Sequence, residues 1–127
     1  MPRTALAAAI LATLLAPVAA QAAQTSIGIE LATEGDFERR IITYDCAAAE
    51  PVTVSYINAA PNFLALVPVE GEAEQLVFAS TIAASGVRYV SGKWVWWTRG
   101  ADASLYDMTL GEDADPVLTC EELINTP

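Results

Sequence analysis

The sequence has no histidine, and its 127 residues include only one lysine and two cysteines. Without histidine it can form neither a Ser-His-Asp nor a Cys-His catalytic site. The single lysine, Lys93, lies at a predicted hairpin turn, where it is solvated and a poor partner for serine catalysis. Ser85-Gly86 lacks the leading glycine of a nucleophile elbow, and no glycine-rich phosphate loop is present. We therefore expect no enzymatic activity, no cofactor and no metal site.

Long apolar runs are also missing. Ala5–Leu15 is shorter than the roughly 20 residues that span a membrane, and it follows a short basic start, Met1–Arg3. Ala20-Gln21-Ala22 is a small-x-small cleavage site, with Val18–Ala20 as the alternative. This pattern predicts a secretory signal peptide over residues 1–22, with a membrane anchor as the less favoured interpretation. No cysteine near the cleavage site is placed to carry a lipid, so we expect a soluble, periplasmic protein.

Basic residues are scarce. Sixteen acidic residues against six basic ones give a net charge of −10, which becomes −11 when Arg3 is removed with the signal peptide. Such a chain repels nucleic acid and anionic membranes and attracts cationic partners. A pair of carboxylates would suit a glycosidase, but most acidic residues fall in predicted turns, where solvated charge is their ordinary role. These residues are Glu70, Glu72, Glu74, Glu112, Asp113 and Asp115.

The two cysteines, Cys46 and Cys120, lie near the two ends of the predicted folded part. In an oxidising compartment such a pair predicts one disulfide, and two free thiols are the less favoured alternative. Closing so long a loop stabilises a fold by about 4 kcal/mol in a chain-entropy treatment. The cysteines thus predict a covalent link between the start and the end of a single domain.

Short strand-like runs separated by turn residues fill the sequence after a flexible, acidic lead-in over residues 23–39. The lead-in contains one weak candidate strand, Ile27–Leu31. Residues 40–127 are predicted to form one domain. Without a convincing amphipathic helix, the pattern predicts an all-β sandwich or barrel of about eight strands. The predicted strands are Arg40–Cys46, Val52–Ile57, Phe63–Val67, Gln75–Phe78, Val87–Val90, Trp94–Thr98, Ala103–Tyr106 and Pro116–Cys120.

Two of these strands, Val87–Val90 and Trp94–Thr98, are separated by Ser91-Gly92, which has the turn chemistry of a hairpin. The hairpin brings Ser85 and Arg99, each followed by a glycine, to the same side of the fold. A hydroxyl and a guanidinium then lie together on a loop rim, which we predict to be the binding site. In the alternative interpretation Ser85 is only a turn residue.

All three tryptophans lie in the second strand of this hairpin. Strand alternation places Trp94 and Trp96 on one face and Trp97 on the other. We expect at least one ring in the core, with an aromatic platform for a sugar or protein as the alternative. Arg88 is expected to form a structural ion pair or to stack on an aromatic ring. In the alternative to a binding role, Arg99 pairs with Asp102 on the surface, worth about 0–1 kcal/mol.

Several short motifs lie between residues 41 and 120. They are Tyr44-x-Cys46, Val52-x-Val54-x-Tyr56, Ala84-Ser85-Gly86-x-Arg88-Tyr89, Trp96-Trp97-Thr98-Arg99-Gly100, Ala103-x-Leu105 and Cys120. In combination they resemble the bacterial inhibitors of c-type lysozyme, a family with membrane-bound (MliC) and periplasmic (PliC) forms. The resemblance implies a small antiparallel β-barrel closed by one disulfide, Cys46–Cys120.

The same resemblance implies that Ser85 and Arg99 enter the lysozyme cleft and contact its two catalytic carboxyl groups. It implies supporting positions in the loops, which are Gly86, Tyr89, Thr98 and Gly100. The family usually has lysine where this chain has Arg99. An always-charged guanidinium fork can bind a carboxylate through two hydrogen bonds, although it is longer and planar. Because c-type lysozymes are generally basic, the acidic chain should also meet them rapidly.

A second hypothesis of another class is an envelope β-barrel that holds an apolar ligand or scaffolds other proteins. Barrels of about eight strands can just enclose a small ligand. An open, apolar interior would favour this hypothesis, and an interior filled by side chains would favour the inhibitor.

Overall fold

The computed structural model describes residues 9–15 and 25–124. Residues 9–15 are irregular and exposed. The rest of the predicted signal peptide, residues 1–8 and 16–22, lies outside the described residues, as does its cleavage site. In the described ranges, no helix has the length and apolar character needed to cross a membrane.

Within residues 25–124, eight strands form a closed barrel in which each strand is antiparallel to both neighbours. The strands are β1 (Glu38–Cys46), β2 (Val52–Ala59), β3 (Asn62–Val67), β4 (Leu76–Thr81), β5 (Val87–Ser91), β6 (Trp94–Arg99), β7 (Asp102–Asp107) and β8 (Leu118–Glu122). A 3₁₀ turn, Met108–Leu110, follows β7. The prediction of a small antiparallel β-barrel of about eight strands is confirmed.

Two local predictions were wrong. Ile27–Leu31 forms no strand, and a physical reason is that a closed barrel offers no free edge for a ninth one. The β5–β6 turn consists of Gly92 and Lys93 rather than Ser91-Gly92, since Ser91 pairs with Trp94 across the ladder. Gly92 takes a φ of 54°, which glycine tolerates without steric cost.

Part of the lead-in contacts the barrel. The backbone amide of Glu34 donates to the Ala60 carbonyl at 2.9 Å, and the Thr33 hydroxyl donates to the same oxygen at 3.3 Å. Asn62 donates its side-chain amide to the carbonyl of Ala32 at 3.4 Å. Residues 32–34 therefore pack on the β2–β3 turn, and β1 begins at Glu38, two residues before the predicted start of the domain.

The barrel interior is filled by side chains. Trp96, Phe78 and Val54 are 0% exposed and Val67 is 1% exposed, because alternate residues of each strand point inward. Trp96 fulfils the expectation that at least one tryptophan lies in the core, and Trp94, on the same face, is half-buried against it. Fully buried side chains thus occupy the interior positions that a ligand would take in a ligand-holding barrel.

The predicted disulfide between Cys46 and Cys120 is present and joins residues 74 positions apart. The two cysteines face each other in the ladder between β1 and β8. The covalent link therefore lies at the seam where the first and last strands close the barrel. A constraint across this seam lowers the entropy of the unfolded chain, which favours the closed form.

Because successive strands are antiparallel, the connections between them alternate between the two ends of the barrel. One end, which we call the site end, carries the β2–β3 turn, the β4–β5 loop (Ile82–Gly86) and the β6–β7 turn. The opposite, distal end carries the other four connections and a concentration of acidic residues, Glu50, Glu70, Glu72, Glu74, Glu112, Asp113 and Asp115. The arginines of the barrel lie in the strand segments next to the site end, at Arg39, Arg40, Arg88 and Arg99.

Candidate functional site

The β4–β5 loop lies directly against the end of β6. Val87, the first residue of β5, pairs with Thr98, so the preceding residue, Gly86, lies beside Arg99. Gly86 has a φ of +66°, and a Cβ there would overlap the Thr98 carbonyl oxygen and lie 2.8 Å from Arg99 Cγ. Only glycine allows this approach. The absence of a side chain at this position thus brings the loop that carries Ser85 next to Arg99.

Trp97 connects the same two residues. Its indole Nε1 donates a hydrogen bond to the Ser85 carbonyl oxygen at 2.9 Å. The Arg99 guanidinium lies over the indole ring, with Cζ 4.2 Å from a ring centroid, which is a favourable cation–π distance. Trp97 and Arg99 are two residues apart in β6 and therefore project from the same outer face. The Trp97 indole thus contacts the Ser85 loop through its N–H group and the Arg99 cation through its ring.

Ser85 and Arg99 are both exposed to solvent. The alternative ion pair between Arg99 and Asp102 does not form: ion pairs in the described part of the chain join Arg40 to Glu38 and Lys93 to Asp107. Arg99 and Asp102 are nevertheless partners in the β6–β7 ladder. The guanidinium therefore lies over an aromatic ring, and no acidic side chain among the described residues forms an ion pair with it.

Arg88 has a structural role. Its Nη1 donates to the Thr81 hydroxyl at 3.2 Å, and its Cζ lies 6.0 Å from a Trp97 ring centroid, at the limit of a cation–π contact. Of the two roles expected for Arg88, the aromatic contact forms and the ion pair does not.

The other supporting residues take different positions. Thr98 donates its hydroxyl to the Val87 carbonyl at 3.4 Å, which adds to the β5–β6 ladder. Gly100 occupies the β6–β7 turn with a φ of 58°. Tyr89 points inward, is 6% exposed and packs its ring 5.6 Å from that of Tyr56. Gly86, Thr98 and Gly100 therefore lie at the rim, whereas Tyr89 belongs to the core below it.

A hydrogen-bonded chain of aromatic side chains supports the site end from inside. Trp96 donates its Nε1 hydrogen to the Tyr56 hydroxyl at 2.8 Å, and the hydroxyls of Tyr56 and Tyr44 are 2.7 Å apart. Burial raises the pKa of Tyr56, of Tyr44 and of Tyr89 above the usual value of 10.0. The phenols are therefore neutral at physiological pH, and the hydroxyls of Tyr44 and Tyr56 are hydrogen-bonded inside the barrel.

An open depression lies at each end of the barrel. The depression at the site end has a volume of about 640 Å³ and reaches Gly86, Thr98 and Gly100 at the rim. That at the distal end has a volume of about 990 Å³, and Trp94 and Leu105 form part of its lining. Both are surface features, since the filled core separates them.

Sequence reasoning placed Ser85 and Arg99 on the same rim but missed Trp97 as the residue that connects them. The spacing of Trp97 and Arg99 was the available signal, because residues two apart in a strand share a face. The hydrogen bond to Ser85 carries no such signal, since it depends on how the β4–β5 loop folds over β6.

Comparison with known proteins assigns the family. A family described as "Membrane-bound lysozyme-inhibitor of c-type lysozyme" matches residues 44–112. A relative from Pseudomonas aeruginosa is 42% identical over 95 residues, which are 72% of this chain and 73% of the relative. A relative from Cupriavidus necator is 37% identical over 112 residues, 88% of this chain and 86% of the relative. Both are named membrane-bound lysozyme inhibitor of C-type lysozyme, and an envelope location for this chain agrees with that name.

A solved structure has the same fold. It is the crystal structure of Pseudomonas aeruginosa MliC in complex with hen egg white lysozyme, with a TM-score of 0.64 and 34% identity. The match covers 81% of this chain and 100% of that chain. A family of inhibitors agrees with the expectation of a non-catalytic protein. From its sequence and its barrel alike, the chain belongs to the family of membrane-bound lysozyme inhibitors of c-type lysozyme.

Proposed function

We propose that this protein inhibits c-type lysozymes by inserting Ser85 and Arg99 into the enzyme's cleft, where they contact the two catalytic carboxyl groups. The observation that carries the proposal is the contact of both residues with one indole, Trp97. This arrangement presents a hydroxyl and a cation together on an exposed rim. Membership of a lysozyme-inhibitor family, with one member crystallised on hen egg white lysozyme, supports the same partner.

The chemistry of the pair suits the target. A retaining glycosidase of the lysozyme type uses an acid and a carboxylate that are about 5 Å apart. The Ser85 hydroxyl can donate to one of these groups or accept from it. Arg99 can neutralise the carboxylate through two parallel hydrogen bonds. Blocking both groups removes the proton donor and the nucleophile or stabilising charge at the same time.

Stacking on Trp97 prepares Arg99 for this contact. The guanidinium lies over the indole, and its N–H donors form a planar fork that matches a carboxylate. A side chain that is already ordered loses less conformational entropy on binding. This ordering of the side chain favours a binding role for Arg99 at a position where the family usually has lysine.

The charge distribution also favours a basic enzyme whose cleft is acidic. The net charge attracts a cationic protein from a distance, and most of the acidic loop residues lie at the distal end. At the site end the exposed Arg99 faces the partner, where it matches carboxylates. Asp102 and Glu122 also lie at the site end, so the long-range attraction comes from the acidic body as a whole, whereas Arg99 supplies the complementary charge at the contact.

An inhibition assay tests the function. Purified protein without residues 1–22 is added to hen egg white lysozyme acting on a suspension of bacterial cell walls, and the clearing rate is followed. We expect the rate to fall in proportion to the inhibitor added, up to a one-to-one complex. An unchanged rate at micromolar concentrations would contradict the proposal. Loss of inhibition after mild unfolding of the barrel is the control for nonspecific charge effects.

For location, we propose export to the periplasm as a soluble protein, with a signal peptide over residues 1–22, a flexible lead-in over 23–39 and the inhibitor domain over 40–127. The basic start, the short apolar run and the small-x-small site support export. Osmotic-shock fractionation and N-terminal sequencing of the released protein test it. Release of a chain that starts at Ala23 is expected, and retention in the membrane pellet would contradict the soluble form.

A further inference from the structure

The β4–β5 loop holds the most exposed large apolar side chain of the barrel. Ile82 is 100% exposed, whereas the next most exposed large apolar residues between Glu38 and Leu123, Ile41 and Leu110, are 62% and 61% exposed. Isolated exposed apolar residues are ordinary on protein surfaces, so exposure by itself assigns no role. The position of Ile82 in the loop that carries Ser85 is what indicates a role.

Ile82 begins the loop that carries Ser85. The loop is fastened near its other end, where Ser85 accepts the Trp97 hydrogen bond and Gly86 lies against Arg99. The next residue, Val87, is 40% exposed and adds apolar surface beside the loop. A segment held in this way presents an apolar group at a small entropic cost of binding. Folding gains nothing from an isoleucine that contacts no core.

We infer that Ile82 is an apolar anchor that docks on an apolar wall of the lysozyme cleft beside the carboxyl groups. Ligand clefts are lined mainly by hydrophobic and aromatic side chains with a few polar groups among them. A loop that fills such a cleft therefore needs an apolar group next to its polar ones. The inference rests on the proposed function and extends the contact surface from Ser85 to the start of its loop.

The test compares Ile82→Ala with Leu110→Ala on the full mature protein. Both substitutions shorten an exposed apolar side chain in a loop or turn, but Leu110 lies at the distal end. We expect Ile82→Ala to bind hen egg white lysozyme about tenfold to a hundredfold more weakly, mainly through faster dissociation. Leu110→Ala should bind like the parent, and Ile82→Leu should keep most of the affinity. Both alanine variants should keep the parent's melting temperature.

Measuring affinity at low and high ionic strength distinguishes the Ile82 contact from the ionic contact of Arg99. The loss in Ile82→Ala should stay constant between low and high ionic strength, because apolar burial is not screened. Affinity for Ile82→Ala within twofold of the parent, or equal losses in both alanine variants, would overturn the anchor and leave the proposed inhibition standing. A parent protein that does not bind the lysozyme would overturn both.

Discussion

Trp97 and Ser85 are joined by a hydrogen bond from the indole nitrogen to the serine carbonyl, 2.9 Å long, between β6 and the β4–β5 loop. The bond leaves the Ser85 hydroxyl free for other partners. The same indole lies under the Arg99 guanidinium. The loop conformation and the arginine rotamer therefore depend on one side chain, and this dependence leads to separable predictions.

Replacing Trp97 by phenylalanine keeps an aromatic face for Arg99 and removes the hydrogen bond to Ser85. We expect inhibition to weaken by about three- to tenfold, which corresponds to the net worth of one hydrogen bond. Trp94→Phe is the matched control, since Trp94 also has a cation over its ring, Lys93 at 4.5 Å, but at the distal end. Inhibition constants for both variants are the measurement.

The same loss should shrink in a Ser85→Ala background if Trp97 acts by positioning the serine. A double-mutant cycle measures this coupling. A Trp97→Phe effect of equal size in both backgrounds would contradict the positioning role, even if the single variant is impaired.

Replacing Arg99 by alanine should weaken inhibition about thirtyfold or more, because truncating a central contact in an interface commonly costs about 2 kcal/mol. The loss should diminish at high salt, where the charge contributes less. Arg88→Ala is the control, since Arg88 binds Thr81 within the barrel wall. Equal potency of Arg99→Ala and the parent, with both folded, would place the binding site elsewhere.

Most of the architecture could be predicted from the sequence, because strands and turns are marked by patterns among neighbouring residues. Alternation and turn residues located the eight strands within a few residues, and the cysteines located the seam. The end of β6 was predictable for the same reason, as hairpin pairing brings Arg99 to the Ser85 side. The apolar residues of Ile27–Leu31 indicate only a weak candidate strand, because strand pairing also depends on whether a free edge exists.

The remaining details of the site depend on contacts between segments. Strand alternation put Trp97 on the outer face, but the bond to Ser85 depends on the path of an irregular loop. Turn propensity favoured Ser91-Gly92, yet the ladder partners of Ser91 and Trp94 decided which two residues turn. Such features follow from packing across the barrel and leave no periodic signal in the sequence.

The buried phenols predict a loss of stability at high pH. Burial, the largest cause, raises the pKa of Tyr44, Tyr56 and Tyr89 in the folded protein above the usual 10.0. The unfolded chain therefore loses these protons first, and the free energy of unfolding should fall as the pH rises above about 10. Denaturant titrations on both sides of this pH measure the fall. Tyr89→Phe should make it shallower, and an unchanged slope would contradict the prediction.

Alanine variants of Gly86 and Gly92 distinguish the cost of backbone strain from that of a steric clash. Gly86→Ala forces a Cβ into the Thr98 carbonyl and against Arg99 Cγ, in a backbone conformation that alanine already disfavours by about 1–2 kcal/mol. Gly92→Ala is the matched control, because Gly92 has a φ of +54° but a Cβ added there would have no atom within 4 Å. Both variants should lose stability, Gly86→Ala more. Only Gly86→Ala should lose inhibition, because its loop must move away from Arg99. Equal inhibition by the two variants would show that the close approach of loop and strand is dispensable.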